Sequence, residues 1–221
     1  MVAKRRRWLI AAAFAVPVLA ASVLAHTRAG RALFGEKCPW GGAPPSAERL
    51  EEFRAKSAAS LRGNTRATAR PAFGFVLDQS TKADVTSWGS SVGATCREET
   101  GGAALRCESA GRPISAENEV PIRDAFFRFD PRGVLVGVDL MRDGTDGEKA
   151  AVVLTTITER ISRAAGPPTT VQGTASPAHL GGYMNRAASE FRFIDYAADV
   201  SATNFGDDGV VVREQYRSIP N

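Results

Sequence analysis

Histidine is nearly absent from this 221-residue chain. The two that occur, His26 and His179, are too few and too far apart for a histidine-built metal cage. Cysteine is also scarce, at three residues, which excludes a small domain stapled by several disulfides. The sequence holds no CxxC redox pair, zinc-ligand spacing, phosphate-cradling glycine loop or dinucleotide fingerprint. No cofactor, no metal and no catalytic residue is therefore assigned. Acids are missing from the first 35 residues, the first being Glu36. What is present is ordinary for a globular domain, with 43% hydrophobic and 24% charged residues. That composition excludes a wholly disordered chain, a collagen-like fibre and a multi-spanning transporter.

The formal net charge of +4 suggests an anionic partner until its distribution is read. Lys4, Arg5, Arg6 and Arg7 precede the first apolar run, and setting them aside leaves 24 basic against 24 acidic residues. The remainder has no clustered basic stripe of the kind that tracks phosphates, so nucleic acid is not expected as a partner. Trp8 to Ala25 is an uncharged run of 18 residues behind that basic stretch. A basic segment before an apolar core is the form of an export signal, with the charges left in the cytoplasm. The run is longer than a usual signal core and close to a spanning length, which favours an uncleaved single anchor in a lipid bilayer. Val23 and Ala25 offer the alternative of cleavage after Ala25. Both readings place residues 40–221 outside the cytoplasm: a bacterial-type inner membrane with a periplasmic domain, or a secreted periplasmic form. Cys38 follows Glu36 and Lys37, which does not fit a lipid-attachment site.

Cys96 and Cys107 flank Gly101-Gly102, so a turn between two short strands would bring the thiols together. An exported domain would oxidise them, closing a loop of about 12 residues worth ~3 kcal/mol. Cys38 is left over as a free thiol or as the link of a covalent dimer. The organisation predicted is a signal or signal-anchor segment (1–31), a linker with an amphipathic helix over 47–62 (32–72), and an α+β domain (73–221). Ser46 reads as the N-cap of that helix; Leu50, Phe53, Ala58 and Leu61 form its stripe, and Gly63 its stop. Residues 64–72 read as loose. Phe73, Phe75 and Leu77 alternate as a strand, and Thr81 with Asp84 forms a capping box for a short helix carrying Val85, Trp88 and Val92. A strand through Ile122, Phe127 and Phe129 turns at Asp130-Pro131-Arg132-Gly133 and returns over 134–142. Thr145 and Glu148 read as a second capping box, before a helix whose Ala150, Leu154, Ile157 and Ile161 share one face. Strands over 169–173, 188–203 and 209–216 follow. Hairpins with a helix at the head of each run predict a two-layer α+β sandwich: an antiparallel sheet with helices on one face, in two units of about 73–143 and 144–221.

Candidates for chemistry have plainer readings. Ser176, His179 and Asp195 lack a nucleophile-elbow motif, so a loop histidine is expected rather than a triad. Asp143 to Glu148 misses the EF-hand spacing and reads as turn plus cap, and Asp207-Asp208-Gly209 reads as a hairpin turn. Arg128 with Asp130, and Arg192 with Asp195, are either paired polar groups on a concave sheet or the solvated face of half-buried strands; alternation favours the latter.

The stretch FGFVLDQSTKADVTSW (73–88) resembles the strand-then-capped-helix opening of the SmpA/OmlA (BamE) family. The passage ISRAAGPPTTVQG (161–173) is similar to the same units, which also build the β-lactamase inhibitory protein fold. The resemblance implies envelope-associated protein–protein binding and brings no catalytic residues. The function expected is a membrane-anchored or secreted, non-catalytic protein-binding or structural module of the envelope; a carboxylate-based hydrolase and a small-ligand carrier are the alternatives. Intact-mass measurement on the membrane fraction is expected to return the full-length chain. A mass beginning at His26 would show leader removal instead, and a doubled mass lost on reduction would give Cys38 a partner chain.

Overall fold

The computed structural model describes residues 46–109, 116–117 and 120–220. The leader (8–25), Cys38 and most of the linker lie outside the described residues. Among those described, no helix is long and apolar enough to cross a membrane.

The elements in chain order are α1 (Ala47–Ala59), β1 (Pro71–Ala72), β2 (Phe75–Val76), α2 (Lys82–Ser91), β3 (Ala94–Glu99), β4 (Ala104–Ser109), β5 (Ala116–Glu117), β6 (Val120–Pro121), β7 (Asp124–Phe129), β8 (Leu135–Thr145), α3 (Gly147–Ala165), β9 (Thr170–Gln172), α4 (Pro177–Leu180), β10 (Arg186–Arg192), β11 (Tyr196–Asn204) and β12 (Val210–Ser218). Eight strands form one sheet in the order β3-β4-β7-β8-β12-β11-β10-β9. Every pairing in it is antiparallel. The fold is α+β with a large antiparallel sheet, as the pattern predicts, and strands from both halves of the domain join in that sheet through β8 and β12.

Alternation sorts each strand into two faces. Phe127, Val138, Leu140, Val212, Tyr216, Val200 and Phe191 point to one side and are buried. That face receives α3, whose Ala150, Val153, Leu154, Ile157 and Ile161 are buried as one stripe. The helix starts one residue later than the expected Thr145–Glu148 box. Thr145 still pairs with Val210 in the sheet, and the cap is Asp146, which accepts from the backbone of Lys149. In α2 the expected box is present: the Thr81 hydroxyl accepts from the Asp84 amide, and the Asp84 carboxylate accepts from the Thr81 amide. Trp88 carries α2 onto the core, edge-on to Phe127 with ring centroids 5.4 Å apart and to Phe73 at 5.6 Å. Cys96 and Cys107 are direct cross-strand partners and lie at disulfide distance.

The same face holds a buried polar cluster. Arg142 and Glu214 are fully buried, with Nε to carboxylate at 3.1 Å; the Tyr216 hydroxyl donates to Glu214 at 2.6 Å, and Arg142 donates to the Val120 carbonyl at 2.7 Å. Burial, then the Glu214 charge and hydrogen bond, push the Tyr216 hydroxyl well above its ordinary pKa, keeping it a donor.

Other local expectations are corrected as well. Phe73, Phe75 and Leu77 are not one strand: Phe73 and Gly74 have φ of 53° and 78°, turning β1 back on β2. Residues 188–203 are not one strand either; they form the β10–β11 hairpin, in which the Phe193 amide donates to the Tyr196 carbonyl at 2.8 Å. Alternation alone continues through that turn, so it hid the reversal. The segment after α1 is tied down rather than loose. Gly63 donates to the Phe193 carbonyl at 3.0 Å, Ile194 donates to Thr65, and the Ala67 amide donates to the buried Asp195 at 3.0 Å. The helices do not all share one face. Ala58 of α1 packs with Ala197 and Ile219, and Ala197 lies between Tyr196 and Ala198, which face the core; α1 therefore lies on the opposite side.

Gly63 is thus a contact point and not a helix stop, since α1 already ends at Ala59. A Cβ there would stand 2.0 Å from the Arg192 carbonyl oxygen. Gly63→Ala is expected to cost roughly 1–3 kcal/mol of stability, read by urea unfolding; an unchanged midpoint would show that the crossing can shift freely.

Candidate functional site

The outer face of the sheet is charged, and the strand register arranges it in rows. One row runs Ala104, Arg128, Gly137, Arg217, Ala197, Arg192 across β4, β7, β8, β12, β11 and β10. The adjoining row runs Arg106, Phe126, Asp139, Gln215, Asp199, Glu190 across the same strands. Acids of the second row neutralise arginines of the first. Arg192 meets Asp199 at 2.6 Å and Glu190 at 3.2 Å, and Arg217 lies 3.7 Å from Asp139. Asp139 also takes Arg213 at 2.8 Å and Gln215 at 2.8 Å.

Arg128 is the exception: its neighbour along β7 in the second row is Phe126, and Asp139, the acid opposite that ring, is committed to Arg213, Gln215 and Arg217. Its guanidinium lies over that ring, 4.8 Å from the centroid. Its Nη1 is buried without a hydrogen-bond partner. No ion pair reaches it among the described residues. Such a group costs ~1–3 kcal/mol, so natural structures rarely leave one. Burial, then the positive charge of Arg217, lower its pKa to about 10. Burial lowers that of Arg217 as well. At neutral pH both remain cations, partly stripped of water and facing one another across Gly137, which has no side chain to separate them.

A cleft of about 810 Å³ opens above this row. Its roof is α1, whose approach the small Ala197 permits; its floor is Arg128, Gly137 and Arg217; its end walls are the turns 100–103 and 130–133. Five basic side chains (Arg54, Lys82, Arg128, Arg132, Arg217) face two acids (Glu51, Asp130). Both acids are committed. Glu51 pairs with Arg54, and Asp130 binds Arg132 at 2.8 Å and accepts from the Val134 amide at 2.9 Å. Burial raises the Asp130 carboxyl, but these bonds outweigh it and hold the pKa below the ordinary value. Lys82 is bound to Glu98 at 2.5 Å and to the Gly102 carbonyl at 3.2 Å. A smaller hollow of about 320 Å³ shares Phe126 and Arg128 and continues toward Arg106, Asp124 and Asp139. The guanidinium of Arg128 therefore stands between two openings, and the arrangement can offer donors to an oxyanion.

The other candidates are placed as follows. Ser176 caps α4 by accepting from the His179 amide, His179 Nε2 meets the Arg186 carbonyl at 3.1 Å, and Asp195 binds Ala67, so the three are spent separately. Neither suggested strand pair forms: Asp130 serves its own turn, and Arg192 takes Asp199 and Glu190 instead of Asp195. Asp207 and Asp208 lie in a tight turn closed from Phe205 to Gly209 at 3.0 Å. No group of three or more His, Cys, Asp or Glu side chains is placed to hold a metal among the described residues. Arg217 and Gly137 escaped the sequence reading. The alternation Val212, Glu214, Tyr216 against Arg213, Gln215, Arg217 could have put Arg217 on the outer face, but not opposite Gly137. No family model matches the chain, and no curated protein or solved structure matches it.

Burial raises the Asp139 carboxyl, but hydrogen bonds from Arg213 and Gln215 and the nearby cations outweigh it, so its folded pKa lies below the ordinary value. Its contribution to stability is therefore present above about 3.9 and is lost as pH falls through the depressed folded value. Asp139→Asn is expected to cost ~1 kcal/mol at neutral pH, with the gap to the parent closing at acid pH in urea titrations; an equal gap at both would refute the pairing.

Proposed function

We propose that this chain is a non-catalytic binding module of the cell envelope, and that its working surface is the outer sheet face beneath α1. In this reading the leader, residues 8–25, delivers the domain across the membrane and retains it there. The observation that supports the reading best is the cleft whose floor carries a half-buried arginine with a buried, unpaired Nη1. A surface kept only for solvation gains nothing from such a group, whereas a binding surface stores it for a ligand. The resemblance of residues 73–88 to envelope-assembly units agrees with this role. The cleft's volume favours a second reading, a carrier of small acidic ligands, on the same residues. A hydrolase built on carboxylates gains no support there, because Glu51 and Asp130 are both held by arginines.

The test places a photoreactive side chain at Phe53, which is 62% exposed on the cleft wall. The control is the same group at Val171, 64% exposed on the edge strand β9. The full chain in intact cells is expected to fractionate with the envelope and to give discrete adducts from position 53 alone. Recovery in the cytosol, or equal yields from both positions, would overturn the proposal.

A further inference from the structure

The geometry points to a specific oxyanion subsite in this cleft, formed by Arg128 and Arg217 across Gly137, that takes the carboxylate or phosphate group of a small organic anion with an apolar body. The inference rests on the reading of the cleft as the working surface and names what it recognises. Four observations converge on it. The Nη1 of Arg128 is buried, has no hydrogen-bond partner among the described residues, and lies 3.7 Å from where a Gly137 Cβ would stand. A Cβ there would already meet the Tyr216 carbonyl oxygen at 3.4 Å, so it is the missing side chain of Gly137 that keeps the cleft floor low beside this donor. Arg217 adds a second guanidinium from the other side of the same glycine, held in place through the Tyr216 carbonyl at 3.0 Å. The rest of the outer face shows what the sheet does with its other row arginines: it supplies an acid. Beside Arg128 stands Phe126 instead, and Asp139, whose charge still acts on Arg128, is committed to Arg213 and Gln215, so an anion from outside is free to take the acid's role.

The chemistry of the group follows from the donors. A guanidinium presents its N–H bonds in a flat fork, which fits the paired oxygens of a carboxylate or phosphate and not a single chloride-like charge. The Phe126 ring lies under the guanidinium, with Cζ 4.8 Å from its centroid, and gives it a partner that leaves its N–H edges unused. The apolar body is indicated by the walls: Phe53 of α1 and Leu61 just after it, with Val136 and Phe129 of the sheet, line the same cleft. A ligand of this class satisfies the orphaned donor, separates two cations that repel one another, and covers exposed ring surface in one step.

Calorimetric titration of the full chain in detergent with acetate, phenylacetate and inorganic phosphate tests the site and separates the two oxyanion sources. Phenylacetate is expected to bind about tenfold or more tightly than acetate, a gain of ~1.4 kcal/mol, and to compete with phosphate if both use one subsite. Arg128→Gln is expected to abolish binding without lowering the melting temperature, since it removes an uncompensated buried cation. Arg97→Gln, at an exposed pair with Glu108 outside the cleft, is expected to leave binding unchanged. Gly137→Val fills the ground between the arginines with a residue strands accept, and is expected to lose binding while the domain stays folded. No heat from phenylacetate and phosphate alike, or equal binding by Arg128→Gln and parent, would overturn the subsite. Adducts from position 53 that persist in Arg128→Gln would then leave the binding-module reading standing; anion binding without any adduct would do the reverse.

Discussion

The pairing of β8 with β12 is the contact on which the rest of the domain depends. Most neighbours in the sheet are hairpins, closed by short turns. This pair brings together residues such as Arg142 and Glu214, 72 positions apart, and through it the strands of both halves share one sheet. Its register is specified from both sides. On the core face Arg142 and Glu214 are fully buried and meet one another; on the outer face Asp139 meets Arg213. A one-residue slip of either strand would turn the buried charges outward and carry exposed ones into the core. A buried ion pair is weak evidence for stability, because desolvation offsets most of its attraction. Its effect here is on register, and the rows of the outer face exist only in that register.

Two chemistries are thereby written on one set of strands. Positions facing α3 are aliphatic and aromatic, and their burial drives folding. Positions on the other side alternate arginine with carboxylate, so the face remains hydrated and self-neutralised. Against that background Phe126 stands out by its consequence. It places a ring beneath Arg128, while Asp139 opposite that ring is committed to Arg213 and Gln215, and the Nη1 donor of Arg128 stays unused. Small residues complete the arrangement: Ala197 lets α1 rest on the face, and Gly137 puts no side chain between two arginines. None of these residues is reactive. What they make is a shaped, positively biased recess on the outer face of the sheet.

Much of the local structure could be read directly. The capping box of Thr81 and Asp84, the buried stripe from Ala150 to Ile161, the turn at Asp130 to Gly133 and the facing of Cys96 with Cys107 all follow from interactions within a few residues. Where reading failed, a non-local contact decided. The reversal at Phe193 to Asp195 keeps the period-two pattern going on both sides, and its stabilising bonds come from Thr65 and Ala67, over a hundred residues earlier. Gly63 looked like a helix stop because the backbone that crosses it at Arg192 is invisible along the chain.

The sequence by itself determined the α+β class, the helix caps and which strand positions face inward, since propensity, capping and alternation act over a few neighbouring residues. It also marked Arg128 as a charge on an aromatic strand. Only the tertiary structure decided that Arg128 has no ion-pair partner among the described residues, that Arg217 lies across Gly137 from it, and that α1 roofs the pair. Those facts depend on which strands lie side by side and in what register, and that is settled by packing over the whole sheet.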